Sequence, residues 1–252
     1  MSERPTAVLI HGLSETREVW WRQKSFLEPS IRVISYDIRG FGKSPTGAAD
    51  GTVRQMADDL AQLLSAFETG SAWLVGFSMG GVIAQRFALD FPDLTKGLVL
   101  VASSCAVGRG GQEFFKHRIE QVTTGGLESL AKTNDGDAHG CFHTGDEELI
   151  NEYKELRVAA VRDAAGYLNA CQAMLNLGQN PLTPELGKLR CATSVVAGEH
   201  DPYCPPKASK MISDAIPDAV LTVIEDVGHC MQFEASDKLN RHIVDFIGER
   251  EV

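Results

Sequence analysis

Short apolar runs that alternate with stretches of helical periodicity restrict the fold of this chain more than any other feature. In the first hundred residues these runs are Thr6–Ile10, Ile31–Asp37, Ala72–Phe77 and Gly97–Val101. Between the second and third runs, the apolar residues of Thr52–Glu68 recur at steps of three and four, and Thr52 and Gln55 have the spacing of a capping box. Strands that are apolar throughout and alternate with helices indicate a parallel sheet covered on both faces.

The pattern changes after Ser104. Four helical stretches follow without a convincing strand: Gln112–Val122, Leu127–Thr133, Glu147–Arg162 and Ala164–Leu177. Strand patterns resume at Thr193–Ala197 and Val220–Ile224, before a final amphipathic helix with Leu239, Ile243, Phe246 and Ile247 on one face. We therefore predict an α/β fold with a mostly parallel, doubly wound sheet of about six strands. Residues 1–104 and 191–252 would form this core, and residues 105–190 a helical cap inserted into it.

Composition and charge narrow the class of protein. The 252 residues suffice for one substantial core, and 24 Lys and Arg against 34 Asp and Glu give a formal net charge of -10. This acidity argues against a nucleic-acid partner. No apolar run approaches a membrane span, and the first residues lack the pattern of a signal peptide. We expect a cytoplasmic protein with reduced cysteines, although any close pair could form a disulfide.

The segment "VGFSMGG", residues 75–81, places Ser78 between Gly76 and Gly80, after a predicted strand and before the helical stretch Val82–Leu89. G-x-S-x-G in this context matches a nucleophile elbow, a sharp turn that lifts the serine above the sheet. The N-terminal amides of the following helix then face a nascent oxyanion. An ordinary strand-to-helix turn is the alternative, but the context favours Ser78 as a nucleophile.

A nucleophilic serine needs a base, and the base needs a carboxylate that orients it. "GEHDPYCPP" places Asp201 just after one predicted strand, and "DVGHCMQFE" places His229 just after the next. Both lie at carboxyl ends of parallel strands, where open α/β sheets collect their sites. The order serine, acid, histidine is that of a nucleophile-elbow hydrolase. We predict a Ser78–Asp201–His229 triad.

Other acids and histidines are weaker candidates. Glu199 and Asp226 are near neighbours, but Asp201 stands in the turn where the motif expects the acid. His200 is adjacent to Asp201 and badly placed to be its partner, and His242 lies in the last predicted helix. The remaining alternative is that His229 is a structural histidine, whose ring only makes hydrogen bonds within its own turn.

Two backbone amides are candidates for an oxyanion hole. The amide after the nucleophile is that of Met79, and "LIHGLSETREVW" after the first strand supplies the amide of Leu13. His11 in this loop is expected to be structural rather than a proton carrier, at the edge of a substrate pocket.

Five stretches in this order resemble the α/β-hydrolase superfamily over nearly the whole chain: "HGLSE", "YDIRGFGKS", "VGFSMGG", "AGEHDPYCPP" and "GHCMQFE". The resemblance implies the sheet, the inserted cap and the triad. The first strand begins at residue 6, so we expect about six parallel strands rather than the family's usual eight. "RDAAGYLNACQAMLNLG" and the passage after it are most similar to the 3-oxoadipate enol-lactonase group.

That resemblance implies a small ester or lactone substrate, with an enol-lactone as the leading interpretation, and no metal or organic cofactor. A carboxylesterase or a C–C bond hydrolase with the same triad is the enzymatic alternative. A ligand receptor on a hydrolase scaffold is the alternative without turnover.

Pocket residues are harder to select from sequence. Trp20 and Phe77 are candidates for apolar walls, and Arg109 and Arg162 are among several cap cations that could meet a substrate carboxylate. "YDIRGFGKS" is interpreted as a loop braced by an Asp–Arg pair rather than a pocket wall. "HGCFHTGD" gathers His139, Cys141, His143 and Asp146, but its spacing matches no common zinc signature. We interpret it as a loop.

Overall fold

One six-stranded sheet forms the centre of the computed structural model, which describes residues 4–251. The strands are β1 Thr6–Ile10, β2 Arg32–Tyr36, β3 Ala72–Phe77, β4 Thr95–Val101, β5 Ala192–Gly198 and β6 Val220–Ile224. Their order is β2-β1-β3-β4-β5-β6, and every neighbouring pair is parallel. The predicted fold class and the number of strands are confirmed.

Helices cover both faces of the sheet. Outside the segment between β4 and β5 they are α1 Trp21–Leu27, α2 Val53–Ala66, α3 Met79–Asp90, α8 Pro206–Ala215, α9 Met231–Glu234 and α10 Ser236–Gly248. Two 3-10 turns, Arg17–Trp20 and Pro92–Leu94, join them. At the start of α2 the Thr52 hydroxyl accepts the Gln55 N–H at 3.2 Å, as the capping pattern predicts.

Strand β1 shows why the apolar runs have no polar alternation. Val8 and Ile10 face one hydrophobic core, which includes Leu60 of α2. Ala7 and Leu9 face the other core, on the side of α1 and α10. These four apolar side chains of β1 are fully buried, because the sheet has an apolar layer on each side.

The segment between β4 and β5 is helical, with α4 Arg109–Gly140, α5 Glu147–Ala160, α6 Ala164–Gln179 and α7 Thr183–Leu186. Its ends meet where the Leu182 N–H donates to the Cys105 carbonyl at 2.8 Å. The sequence predicted two helices here, and α4 does consist of two helical parts, divided at Gly126, whose backbone is not helical (φ 61°, ψ -166°). Glycine tolerates this positive φ, so the chain turns there without a long loop.

No helix within residues 4–251 combines the length and the apolar character needed to cross a membrane.

Candidate active site

The turn between β3 and α3 holds Ser78 in an unusual backbone conformation, φ 52° and ψ -118°. A Cβ atom on Gly76 would lie 2.5 Å from the Gly80 carbonyl oxygen, and one on Gly80 would lie 2.2 Å from the Ile10 carbonyl oxygen. Both neighbours must therefore be glycine for α3 to approach β1 this closely. The Ser78 N–H donates to the Val101 carbonyl at 2.9 Å, which ties the turn to β4.

A chain of side-chain hydrogen bonds joins Asp201, His229 and Ser78. His229 Nδ1 lies 2.7 Å from Asp201 Oδ2, and His229 Nε2 lies 3.2 Å from Ser78 Oγ. The other Asp201 oxygen accepts the N–H groups of Tyr203 and Cys204, each at 2.8 Å. These contacts assign the Nδ1 proton to the Asp201 side and leave Nε2 to face the serine hydroxyl.

Asp201 also controls the charge of His229. Burial lowers the pKa of His229, but the charge and hydrogen bond of Asp201, with smaller contributions from Cys141 and Glu15, raise that pKa to about 9. The carboxylate itself has no exposed side-chain surface. The site therefore favours an imidazolium, the form that a general base adopts after it has taken a proton.

The competing acids and histidines lie elsewhere. Glu199 and His200 are exposed, and the Glu199 carboxylate accepts the Asp226 N–H at 3.2 Å. His242 Nε2 lies 2.7 Å from the Ser194 hydroxyl, on the far side of β5 from the elbow. None of the four is in the hydrogen-bond chain of Ser78.

The two predicted oxyanion donors border the same space. Leu13 and Met79 both line the cavity in front of Ser78. Among residues 4–251, neither backbone N–H has a protein acceptor. Met79 is the first residue of α3, so its amide points along the helix axis with the positive end of the dipole.

Glu15 is a site residue that sequence reasoning missed. It is fully buried, and its carboxylate accepts the Gly12 N–H and the Tyr153 hydroxyl, both at 2.7 Å. Burial raises the pKa of Glu15, against the lowering effect of these two bonds and of the nearby Arg157 charge. Glu15 thus connects the loop of Leu13 to α5, 138 positions away in the chain. No local spacing in the sequence predicts a contact between residues so far apart in the chain.

A cavity of about 540 Å³ opens in front of Ser78 and His229. Its walls are mainly apolar and aromatic, and they include Phe77, Phe114 and Tyr203. Two cationic side chains, Arg157 and Lys207, reach the same cavity. This volume fits a small organic molecule.

Arg157 is the buried cation of the cavity. Nη1 donates to the Tyr153 hydroxyl at 3.3 Å, Nε donates to Asn134 Oδ1 at 3.2 Å, and Nη2 lies 3.6 Å from Asp137. Asp137 makes a shorter contact with Arg118. Arg157 consequently retains N–H groups that a substrate anion could use.

Of the predicted pocket side chains, only Phe77 lines the cavity. Trp20 is fully buried behind it, with ring centroids 6.4 Å apart. His11 is held between the Gly12 carbonyl and the Ile38 N–H, both at 2.8 Å, and burial lowers its pKa to about 4.

Arg109 and Arg162 are exposed on the helical segment rather than turned into the cavity. Arg162 Nε donates to the Ala159 carbonyl at 3.3 Å. Arg109 is the first residue of α4 and Arg162 lies between α5 and α6, so helical periodicity does not assign either side chain to a face.

The "YDIRGFGKS" loop is braced, but by other partners than expected. Arg39 pairs with Asp59 of α2, at 2.6 Å and 2.7 Å. The Asp37 carboxylate instead accepts the N–H groups of Arg17 and Lys43, at 2.9 Å and 3.0 Å. The loop supports the site from outside the cavity.

A serine hydroxyl hydrogen-bonded to a buried imidazole, with a carboxylate behind it and two amides in front, has the parts needed for acyl transfer. A family model described as alpha/beta hydrolase fold matches residues 5–236. The curated relative 3-oxoadipate enol-lactonase 2 of Acinetobacter baylyi is 26% identical over 99% of this chain and 90% of its own length.

Solved structures agree with this match. A thermophilic esterase from Thermogutta terrifontis superposes with a TM-score of 0.86 at 27% identity, over 100% of this chain and 92% of the esterase. The enol-lactonase from Burkholderia xenovorans superposes with a TM-score of 0.88 at 24% identity, over 98% of this chain and 92% of its own, which shows a shared fold.

Proposed function

This chain belongs to the α/β-hydrolase fold family, and on that premise we propose that it cleaves a small ester or lactone through an acyl-enzyme on Ser78. The observation that carries the proposal is the hydrogen-bond chain from Asp201 through His229 to Ser78. A buried carboxylate, an imidazole and a serine in this order can convert an unreactive hydroxyl into a nucleophile.

The reaction takes place in two steps. His229 Nε2 takes the Ser78 proton as Oγ attacks the substrate carbonyl, and the Leu13 and Met79 amides donate to the oxyanion. His229 then gives its proton to the leaving oxygen. A water molecule, deprotonated by His229, attacks the acyl-enzyme, and His229 returns this proton to Ser78 Oγ as the acid is released. With a lactone, both halves stay in one product.

A lactone with a carboxylate substituent is the substrate class that we favour. Arg157 and Lys207 bring two cationic side chains to a mainly apolar cavity, whose lining also includes the carboxylates of Glu15 and Asp137. A guanidinium with unused N–H groups binds a carboxylate in a defined orientation. The similarity to 3-oxoadipate enol-lactonase 2 supports an enol-lactone as the leading candidate.

A carboxylesterase with the same nucleophile is the second candidate, favoured by the likeness to the esterase of Thermogutta terrifontis. Lactone opening and ester cleavage need the same residues and differ in what the cavity admits. Product analysis on a panel of an enol-lactone, a saturated lactone, neutral esters and a C–C cleavage substrate separates them.

The variant Ser78→Ala tests the proposal on that panel, with Ser104→Ala as a matched control because Ser104 lines the same cavity. We expect Ser78→Ala to lose at least about a thousandfold in kcat and Ser104→Ala to keep most of it. Arg157→Gln should raise KM for the carboxylate-bearing lactone and leave neutral esters nearly unchanged. Equal activity of wild type and Ser78→Ala on every substrate would overturn the proposed nucleophile.

A further inference from the structure

Three metal-ligating side chains meet on the surface beside the site, each from a different loop. His143 follows α4, His200 follows β5, and Asp226 follows β6. All three are exposed, and one ligand atom from each lies within 4.8 Å of the other two. The imidazole rings of His143 and His200 are stacked, with centroids 3.8 Å apart. None of the three is used in the proposed hydrolysis.

The spacing of these ligand atoms is close to that of a bound metal ion. Zn²⁺ binds histidine nitrogen and carboxylate oxygen at about 2.0–2.2 Å, so two ligands of a tetrahedral ion lie roughly 3.4 Å apart. Rotation of exposed side chains can close a remaining gap of about 1.4 Å without moving the backbone. The stacked rings would turn so that their nitrogen lone pairs converge on one point.

The backbones that carry these side chains are already held together. The Glu234 carboxylate accepts the His143 N–H and the Gly228 N–H, both at 2.7 Å. The His200 N–H donates to the Val227 carbonyl at 2.9 Å. A metal ion would therefore meet loops that need little ordering, which lowers the entropic cost of binding.

A nearby carboxylate adds negative charge. Glu199 Oε2 lies 3.6 Å from His200 Nε2 and accepts the Asp226 N–H at 3.2 Å. Ligating histidines commonly have their second ring nitrogen oriented by a carboxylate. Glu199 is placed to act in this way on His200 and to fix the Asp226 backbone.

We infer that His143, His200 and Asp226 form a surface site for one divalent transition metal ion of the Zn²⁺, Co²⁺ or Ni²⁺ class. Two imidazoles and one carboxylate suit these ions rather than Mg²⁺ or Ca²⁺, which prefer all-oxygen sites. The ion clamps the loop after α4 to the loops that carry Asp201 and His229, and so stabilises their arrangement. None of the three ligands takes part in the proposed hydrolysis, so the inference does not rest on that proposal.

The sequence alone does not indicate that His143, His200 and Asp226 lie close together. The local cluster "HGCFHTGD" has no zinc spacing, and only His143 of that cluster takes part. Its two partners lie in the acid turn and in the turn before His229, and they are brought close by the parallel order of β5 and β6.

Calorimetric titration of the untagged, chelator-treated protein with Zn²⁺ tests the inference, and the absorption spectrum of bound Co²⁺ reports on the coordination. We expect one ion per chain at micromolar concentrations. Removal of one ligand in His143→Ala, His200→Ala or Asp226→Asn should weaken binding at least about tenfold. Zn²⁺ should also raise the melting temperature of the wild type but not of these variants.

His117→Ala is the matched control, because His117 is an exposed histidine of α4 outside the set. It should bind Zn²⁺ as the wild type does. Exposed substitutions leave the fold intact, and circular dichroism verifies this before each titration. No binding by the wild type, or equal binding by the wild type and the three ligand variants, would overturn the inference whatever the hydrolase activity is.

Discussion

The buried carboxylate of Asp201 decides the protonation state in which His229 rests. Burial lowers the pKa of His229, but Asp201, 2.7 Å from the imidazole, raises it together with Cys141 and Glu15 to about 9. A general base must be neutral before it takes the serine proton. On the proposed mechanism, we therefore expect the small neutral fraction of His229 to limit activity near neutral pH.

We predict that kcat/KM for a neutral ester rises with pH and levels off only above about 9. The sign follows from the base: deprotonation of His229 creates the active form, so activity increases as pH passes upward through its pKa. Initial rates from pH 6 to 10, corrected for spontaneous hydrolysis, measure the profile.

Asp201→Asn is the companion variant for this profile. It removes the charge that raises the pKa of His229, so its activity should level off at a lower pH. It should also lower kcat by about three to four orders of magnitude, as tautomer control is lost. An unchanged profile in Asp201→Asn would show that another group sets the pH dependence.

Helix α5 and the loop after β1 contact each other through Tyr153 and Glu15, both almost fully buried. The Tyr153 hydroxyl donates to Glu15, which accepts the Gly12 N–H beside Leu13. Elements far apart in sequence thus share one hydrogen-bond network at the proposed oxyanion donor.

Tyr153→Phe should destabilise the fold by about 1–3 kcal/mol, because it leaves one oxygen of a buried carboxylate without a donor. Urea unfolding monitored by tryptophan fluorescence gives the free energy of unfolding. Tyr203→Phe is the control, since Tyr203 also lines the cavity but is partly exposed. A similar change in both variants would mean that the Tyr153–Glu15 bond contributes no specific stability.

The elements differ in how well local sequence describes them. The bounds of β1, β3 and β6 are as predicted, and those of β2, β4 and β5 are within two residues, because burial on both faces makes the inner strands mostly apolar. The predicted division of α4 into two helices corresponds to the break at Gly126, where two adjacent glycines interrupt the helical periodicity. Helix α8 was not predicted although its ten residues are amphipathic, and the short α9 has too few turns for a periodic signal.

At the scale of the whole molecule, the residues of the proposed triad were predictable because a motif marks the end of each strand that carries one. Ser78, Asp201 and His229 each follow a parallel strand, so the sheet brings them to one edge. The contacts of Glu15 and Arg157 depend on how helices pack onto that edge. So does the outward orientation of Arg109 and Arg162. A single sequence does not show such long-range contacts. The residues of the cavity walls could therefore not be predicted from it.

The global fold should lose stability in acid through His11. Burial lowers the pKa of His11 from 6.5 to about 4, so between these values the unfolded chain binds a proton that the folded chain does not. Stability is therefore complete above pH 6.5 and decreases by about 3 kcal/mol as pH falls to 4. Denaturant unfolding across this range measures it.

His11→Gln isolates this contribution. The variant will be less stable at pH 7, because the bond from the Ile38 N–H changes, but its further loss between pH 6.5 and 4 should be smaller by about 3 kcal/mol. If the free energy of unfolding falls equally in wild type and variant between pH 6.5 and 4, His11 is ruled out as the acid-sensitive group.

The central claim, a covalent acyl-enzyme on Ser78, is tested most directly by rapid mixing with p-nitrophenyl acetate. We predict a burst of p-nitrophenol close to one equivalent per chain, then sustained turnover, with both lost in Ser78→Ala. A burst and turnover of undiminished size in Ser78→Ala would contradict the claim.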